Sequence, residues 1–555
     1  MCGIVSIFAY NNPSGVNHQE LRRIRDQMAH RGPDGSGEWF SPDKRIGLGH
    51  RRLSIIDLSE AGRQPMSNES CPECSRKNTK VWITYNGEIY NYRALRNELI
   101  RTGHKFESNS DTEVMIHGYV EWGIEELLLK LRGMFAFVLY DSRSTNNESR
   151  LILARDPFGI KPLYYADDGK TLYAASQVKA LLKAAHTDTR PDPAGHVGFF
   201  LWGHVPEPYT FYRGIRSLPA GSYMWVDSTG NKKTTAYCSI PEILSDSNTN
   251  AFYKLTSAPH PSPLPRRGEG GVRGQSRVWK KNYRVCISRS DSAASTEEVR
   301  LLLRTALLDT VRHHLIADVP VGIFLSSGMD STTLVALASE INQGNINTIT
   351  MGFREYIDTV NDETPLATLT ADRYGTTHRT IWVSKKDFEE DFQHLLQSMD
   401  QPTTDGVNSY FVSKTAKKAG LKVALSGLGG DELFGSYPSF NQIPRIVNRL
   451  DSLKNLPLLG KGFRIVSYPF LRHMTSPKYA GLFEYGGDYS GAYLLRRGMF
   501  MPWELPQLLD GEMVREGWRE LQTMLRLEET ISKVENPYPT VRVKALTFQD
   551  GTLSF

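Results

Sequence analysis

The chain has 555 residues, 40% of them apolar and 23% charged, with a formal net charge of +5. That is core enough for two domains, and no apolar run approaches the roughly 18 residues of a helical membrane span, so no membrane partner is expected. Five cysteines offer no disulfide framework, and the basic excess is local: nine Lys or Arg against one Glu lie between Lys254 and Arg289, which leaves the rest slightly acidic.

The chain opens Met1-Cys2-Gly3-Ile4. Loss of Met1, which the small second residue permits, would leave one residue with both a thiol and a free α-amine. A thiol with a pKa of about 8.5 is only a few per cent thiolate at pH 7, whereas an α-amine near 8 titrates close enough to shuttle its proton. These four residues alone equally suit a cysteine that merely packs. Ile4 to Tyr10 is apolar but lacks a basic leader and a cleavage site, and its removal would discard the nucleophile, so a cytoplasmic location is expected.

Further motifs follow in order: His30-Arg31-Gly32-Pro33-Asp34-Gly35, then Gly49-His50-Arg51-Arg52-Leu53-Ser54-Ile55-Ile56-Asp57. Cys71-Pro72-Glu73-Cys74 has the spacing of two metal ligands, but no second pair stands nearby, and it reads as an inert polar loop rather than a zinc knuckle. Tyr85-Asn86-Gly87-Glu88-Ile89-Tyr90-Asn91 comes next; its Asn-Gly, between two strand-like runs, also reads as a hairpin turn. Ser110-Asp111-Thr112-Glu113 and Arg155-Asp156-Pro157-Phe158-Gly159-Ile160-Lys161-Pro162-Leu163-Tyr164 complete the set. Met134 to Tyr140, Leu151 to Ala154 and Leu172 to Ala175 are consistent with strands.

Together these motifs resemble the class II glutamine amidotransferase domain, to about residue 190. The resemblance implies an α+β N-terminal nucleophile fold, an αββα sandwich over residues 1–195. It implies Cys2 as nucleophile, Asn86 and Gly87 as donors to the tetrahedral intermediate, and Arg52, Glu88 and Asp111 around bound glutamine. The chemistry asks for such types. A guanidinium grips a carboxylate through parallel hydrogen bonds, an acidic group answers an ammonium, and a side-chain amide with an unobstructed backbone N–H can stabilise an oxyanion.

Residues 196–295 read as a connecting region. Within it, about 255–277 is Pro- and Gly-rich without apolar period, so it cannot build a core and reads as a solvated, disordered linker. Its charges, with Trp279 and Tyr283, could suggest nucleic acid, but no nucleic-acid motif accompanies them and no such partner is expected.

From about 296 the pattern alternates helix and strand: Thr296 to Ile316, Gly322 to Leu325, Thr332 to Ile341, Thr348 to Phe353, Leu366 to Tyr374. The apolar run Val319 to Leu325 ends in Ser326-Ser327-Gly328-Met329-Asp330-Ser331 before a helical pattern. A strand, a small-residue loop and a helix N-terminus make a phosphate-binding geometry, although the Gly-Lys-Ser/Thr ending of a Walker loop is lacking. A second apolar run, Val423 to Leu425, opens into Ser426-Gly427-Leu428-Gly429-Gly430-Asp431. The first loop resembles the pyrophosphate loop of enzymes that split ATP into AMP and pyrophosphate. An α/β doubly wound domain is thereby implied over residues 296–555. ATP would contact Leu325, Ser326, Ser327, Gly328, Asp330, Ser331, Met351, Gly352, Ser426 and Gly427. Asp330 and Asp431 would hold Mg2+, since carboxylates from separate loops suit a cation that keeps waters and bridges phosphates.

Taken whole, the chain resembles asparagine synthetase of the glutamine-hydrolysing type over roughly residues 2–250 and 290–545. The implied reaction hydrolyses glutamine at Cys2, passes ammonia internally and amidates an ATP-activated carboxylate, first of all aspartate. A homodimer is implied by resemblance alone. Leu428 stands where family members carry an acidic residue used in adenylate formation, a variant like that of synthetase-like enzymes thought to amidate sugar acids in surface polysaccharide synthesis. The family also continues well past residue 555, and Thr547 to Phe555 has no helical periodicity. The second domain is therefore expected to be incomplete, with glutaminase activity alone as a further alternative.

Overall fold

The computed structural model describes residues 1–77, 80–142, 150–245, 296–342, 346–454, 457–534 and 539–549; the Pro- and Gly-rich insertion lies outside them. The amino-terminal strands are β1 (Gly3–Phe8), β2 (Gly35–Phe40), β3 (Ile46–Arg52), β4 (Met66–Ser67), β5 (Val81–Ile89), β6 (Gly133–Asp141), β7 (Arg150–Arg155), β8 (Tyr164–Asp167), β9 (Leu172–Ala175), β10 (Ile215–Ser217), β11 (Ser222–Val226) and β12 (Lys232–Ala236). They form two six-stranded sheets, ordered β10-β8-β9-β1-β3-β2 and β12-β11-β7-β6-β5-β4. Every strand pairing in both is antiparallel.

Side-chain alternation along a strand explains the layers. On β6, Ala136, Val138 and Tyr140 enter a core shared with Ile4 and Phe8 of β1, while Phe135, Phe137 and Leu139 enter a second core. That second core is filled from the other side by helices α3 (Tyr92–Arg101) and α4 (Asp111–Lys130). On β1, Val5 and Ile7 turn the opposite way, onto Leu21 and Ile24 of helix α1 (His18–Asp26). Three apolar cores thus separate four layers, helix, sheet, sheet and helix, as an αββα sandwich requires. Helix α2 (Pro72–Arg76) is a short one between β4 and β5.

Two expectations are corrected. The sandwich does not stop near residue 195: β10 closes one sheet and β11 and β12 extend the other, so it runs to Ala236. β10 pairs with β8 and β11 with β7, far upstream, while β12 adds on to β11, and short segments of this kind carry little local signal. Thr547 to Gln549 also belong to a helix, Pro539–Gln549, in which Val543 and Leu546 pack on Phe440 and Tyr493.

The carboxy-terminal domain holds β13 (Val321–Phe324), β14 (Asn347–Phe353), β15 (Thr377–Val383) and β16 (Val423–Leu425). All pairs are parallel and the order is β15-β14-β13-β16. The chain steps outward through β13, β14 and β15, then returns to the other side of β13, so the order reverses between β13 and β16. Loops leaving the carboxyl ends of two such strands flank the crevice where doubly wound sheets bind ligands. Among the described residues no helix is long and apolar enough to cross a membrane.

Candidate active site

Cys2 precedes β1, whose register sets Gly3 opposite Arg51 of β3, so the thiol lies beside the end of β3. Its Sγ accepts from the Leu53 N–H at 3.4 Å and lies 3.7 Å from the Leu53 carbonyl, while Arg31 Nε donates to the Cys2 carbonyl at 3.0 Å. Burial pushes the thiol pKa up. Burial of the amine, with help from Arg31 and Lys161, lowers the Met1 amine from 8.0 to about 5, although Met1 as a whole is 48% exposed.

A cavity of about 190 Å3 opens beside Cys2, lined by Arg52, Asn86, Gly87, Glu88 and Asp111 among others. It thus gathers all six of the sequence-predicted glutamine-site residues. Asn86-Gly87 is no hairpin turn. Strand β5 runs straight through it, with Asn86 opposite Ala136 and Gly87 opposite Phe135 on β6. A Cβ at Gly87 would lie 2.3 Å from the Met134 carbonyl oxygen, so the close strand approach itself demands glycine.

The backbone of β5 shows what the Gly87 N–H can do. Phe135, opposite Gly87, exchanges its backbone groups with Asp156 instead, so the Gly87 N–H points away from β6, by the alternation of antiparallel pairs. On that same outer edge the Tyr85 N–H goes to Gln64 Oε1 at 2.7 Å and the Ile89 N–H to Asp111 Oδ2 at 3.0 Å. The Gly87 donor lies between these two anchors. Asn86 is 1% exposed and its Nδ2 is a buried donor with no partner among the described residues. An unsatisfied buried amide costs stability and suits a site that awaits an acceptor.

Arg52 is set by the loop beyond it: its guanidinium donates to the carbonyls of Ser59, at 2.9 Å, and Asp57. Two of five N–H donors are so used, leaving others for a carboxylate. Gly62 makes room, since a Cβ there would lie 2.3 Å from Arg52 Nη2. Asp111 opens α4, capped by Ser110, and its Oδ2 also accepts from Tyr85 Oη–H at 2.8 Å. Burial raises the Asp111 carboxyl, and burial against the opposing pull of Lys161 raises Glu88 to about 7.

Sequence reasoning quoted Arg31 and Lys161 inside motifs but gave them no role. Both are cations that act on the Cys2 environment. Asp156 holds the Lys161 loop, accepting from Phe158, Ile160 and Lys161 N–H groups at 3.0 Å each. Arg155 braces the same loop through the Lys161 and Gly159 carbonyls, at 2.9 and 2.6 Å. A charged residue inside an otherwise apolar run was the available signal. Lys422, Val423 and Ala424 of the second domain also line the cavity, a contact between domains that no local pattern announces.

At the carboxyl edge of the parallel sheet the two predicted loops meet. Ser326 Oγ and Ser331 Oγ are 3.0 Å apart, and Gly328 N–H donates to Ser326 Oγ at 3.2 Å, which folds the first loop into the start of helix Met329–Asn342. Leu325 bonds to Ile349 of β14 through its N–H. Ser327 belongs to the same loop, and Met351 and Gly352 end β14, where a Cβ on Gly352 would strike Trp382 at 2.7 Å. Gly427 and Gly430 admit Asp330: added Cβ atoms would lie 3.1 Å from its Cβ and 2.4 Å from its Oδ2. Burial and the neighbouring Asp431 charge raise the Asp330 carboxyl. Two mutually repelling carboxylates beside a helix N-terminus and small-residue loops fit a divalent cation with phosphates. Leu428, in the second loop, is 63% exposed.

Comparison with known proteins agrees with both halves. Residues 1–238 match a glutamine amidotransferase domain and residues 302–537 an asparagine synthase domain. Asparagine synthetase (glutamine-hydrolyzing) 1 of Bacillus subtilis is 33% identical over 448 residues, covering 80% of this chain and 60% of the relative. A putative asparagine synthetase (glutamine-hydrolyzing) of Mycobacterium tuberculosis is 34% identical over 460 residues, covering 80% and 61%, and amidase chry2 of Gibberella zeae is 30% identical over 464 residues, covering 79% and 60%. The chain thus spans about three fifths of the length of these relatives. Among solved structures, glutamine phosphoribosylpyrophosphate amidotransferase of Bacillus subtilis aligns at a TM-score of 0.33 and 14% identity, over 77% of this chain and 90% of that one, a likeness too slight to add to the fold described above. With an amidotransferase sandwich and an asparagine synthase sheet in one chain, matched in that order, the protein belongs to the glutamine-hydrolysing asparagine synthetase family.

Proposed function

We propose that this chain is a glutamine-dependent amidotransferase that hydrolyses glutamine at Cys2 and uses the ammonia to amidate an ATP-activated carboxylate, aspartate being the first candidate. The observation that carries it is a second-residue thiol meeting two unengaged oxyanion donors, Asn86 Nδ2–H and Gly87 N–H, in a cavity that residues of the second domain help to close.

With Met1 removed, the Cys2 amine takes the thiol proton as sulfur attacks the glutamine amide carbon. The oxyanion receives Asn86 and Gly87, Arg52 holds the substrate carboxylate, and Asp111 with Glu88 faces its ammonium. Collapse expels ammonia, to which the amine returns the proton, and leaves a thioester; water then releases glutamate and restores the thiol. In the second domain Ser326, Ser327, Gly328 and Ser331 would cradle ATP phosphates, with Leu325, Met351, Gly352, Ser426 and Gly427 alongside. Asp330 and Asp431 would hold Mg2+, which when bound neutralises phosphate charge.

Leu428 favours a second reading of the acceptor. A leucine can neither orient a cation nor carry a proton, so an acceptor other than aspartate, such as a sugar acid, fits this loop, and a relative named as an amidase supports variety in the family. The experiment measures glutamate and pyrophosphate release together, from protein given glutamine, Mg-ATP and aspartate, a uronic acid or no acceptor. Acceptor-dependent pyrophosphate that persists with ammonia in Cys2→Ala, while glutamate release vanishes, is the expected result. Glutamate without pyrophosphate under every acceptor would sink the synthetase half of the proposal.

A further inference from the structure

Four side chains that the proposed reaction does not use converge in the core behind β5. Cys71 and Cys74 belong to the turn and body of α2, His104 follows α3 after Gly103, whose φ is +99°, and His117 lies on α4. All four are at most 2% exposed. Their ligand atoms lie within 4.8 Å of one another. His104 Nδ1 is 3.8 Å from Cys71 Sγ and 3.7 Å from Cys74 Sγ, His117 Nδ1 is 3.3 Å from Cys74 Sγ, and the two Nδ1 atoms are 3.3 Å apart. A tetrahedron with Zn–S of about 2.3 Å and Zn–N of about 2.0–2.1 Å requires S···N near about 3.6 Å and N···N near about 3.3 Å.

The outer side of each ring points to the same conclusion. His104 Nε2 is 3.0 Å from Glu121 Oε2, and His117 Nε2 is 3.4 Å from Glu113 Oε1. With the proton of each ring drawn to Nε2 by its carboxylate, both Nδ1 atoms would be bare, and two lone pairs would face each other across 3.3 Å. That contact is repulsive unless a cation sits between them. Histidines that ligate a metal make this outer-shell bond to a carboxylate almost as a rule. Both cysteines are free thiols rather than a disulfide.

We infer that Cys71, Cys74, His104 and His117 form a structural zinc site of the Cys2His2 type. Four protein ligands fill the tetrahedron and leave no open position, so the metal takes no part in glutamine chemistry. Its place in the fold gives it a task. It clamps α2 and the α3–α4 connection to α4, and the ligand His117 lies six residues, about 9 Å of helix rise, from Asp111 at the start of the same helix. The metal thereby steadies the helix end that the glutamine cavity uses.

The test is metal analysis of the purified full chain by mass spectrometry, with cobalt substitution as an independent readout on the unaltered sequence. About one zinc per chain is expected, retained in Cys2→Ala and lost in Cys74→Ser and His117→Ala, and the cobalt form should show thiolate charge-transfer absorption and the intense visible bands of a tetrahedral centre. Two thiol-to-imidazole hydrogen bonds without metal are the competing occupant. Protein free of zinc after growth in zinc-replete medium, together with no tetrahedral cobalt spectrum, or a zinc content unchanged by Cys74→Ser, would overturn the assignment.

Discussion

The reaction asks one thing of the chain start, an amine that is neutral when a thiol must lose its proton. Burial and the nearby Arg31 and Lys161 charges supply it, lowering the terminal amine of Met1 from 8.0 to about 5. With Met1 removed, a Cys2 amine held beside the same Arg31 and Lys161 charges would be lowered in the same direction. The sign follows directly. A lowered amine pKa means activity is lost only as pH falls through that lowered value, so kcat/KM for glutamine hydrolysis should keep its acidic limb well below pH 8. Glu88 adds a second step. Its carboxyl, raised to about 7 by burial, is neutral in acid and becomes an anion for the substrate ammonium only as pH rises through that value. A pH profile of kcat/KM should therefore climb again near pH 7, and Glu88→Gln should flatten that upper step while leaving the lower limb. An unaltered upper step in Glu88→Gln would remove Glu88 from substrate binding.

At the scale of elements, β5 does more than any other strand: it carries Asn86, Gly87 and Glu88, and anchors Asp111 through Ile89. Its weak point is Gly87, because a methyl group there would meet Met134 O at 2.3 Å and Phe135 Cα at 2.8 Å, both backbone atoms of β6. Neither can rotate away, so Gly87→Ala should force the strands apart at a cost of about 1–3 kcal/mol. Urea denaturation should record that loss together with loss of glutaminase activity; full stability with low activity would instead indicate a purely catalytic glycine. The same strand marks the limit of what the sequence discloses. Strands β6 and β7 were legible because burial on both faces leaves continuous apolar runs, and the loops after β13 and β16 because small residues follow a short apolar strand. Asn86-Gly87 carried two readings, a hairpin turn and a pair of oxyanion donors, since a turn and an unobstructed backbone N–H both select glycine. Cys71 and Cys74 looked inert because their companions arrive from elsewhere, His104 from the loop after α3 and His117 from α4. Strands β10 and β11 were missed because their pairing partners lie far upstream, and β12 because it builds on β11.

Across the whole molecule, the two domains are joined at the site itself. Strand β16 serves both: residues at its start line the Cys2 cavity, and its end opens into the Ser426–Gly430 loop beside Asp330. Three residues of strand span only about 10 Å. A second link runs through Asp318, three residues before β13, whose Oδ2 accepts the Asp57 N–H at 2.7 Å while its own N–H donates to the Ile55 carbonyl at 2.9 Å. Asp57 in turn offers its carbonyl to Arg52 and its Oδ2 to the Asn109 N–H at 2.7 Å. Asp318 therefore holds, from the second domain, the loop that orients the guanidinium proposed to grip glutamine. Compare the Lys422 to Asp34 ion pair, also between domains at 2.7 Å: its side chains are 40% and 27% exposed, and such pairs contribute about 0–1 kcal/mol. The Asp318 bond is a charged acceptor on a backbone donor, a class that contributes about 1.5–3 kcal/mol where water is excluded, and because Asp318 is itself solvent-exposed the low end of that range or less applies. If that energy serves chiefly to set Arg52, Asp318→Ala should raise KM for glutamine by a few-fold, up to roughly ten-fold. Steady-state kinetics with glutamine and with ammonia separate the outcomes. A higher glutamine KM beside unchanged ammonia-dependent pyrophosphate release assigns the link to Arg52, whereas loss of both would mean that Asp318 holds the second domain's own fold.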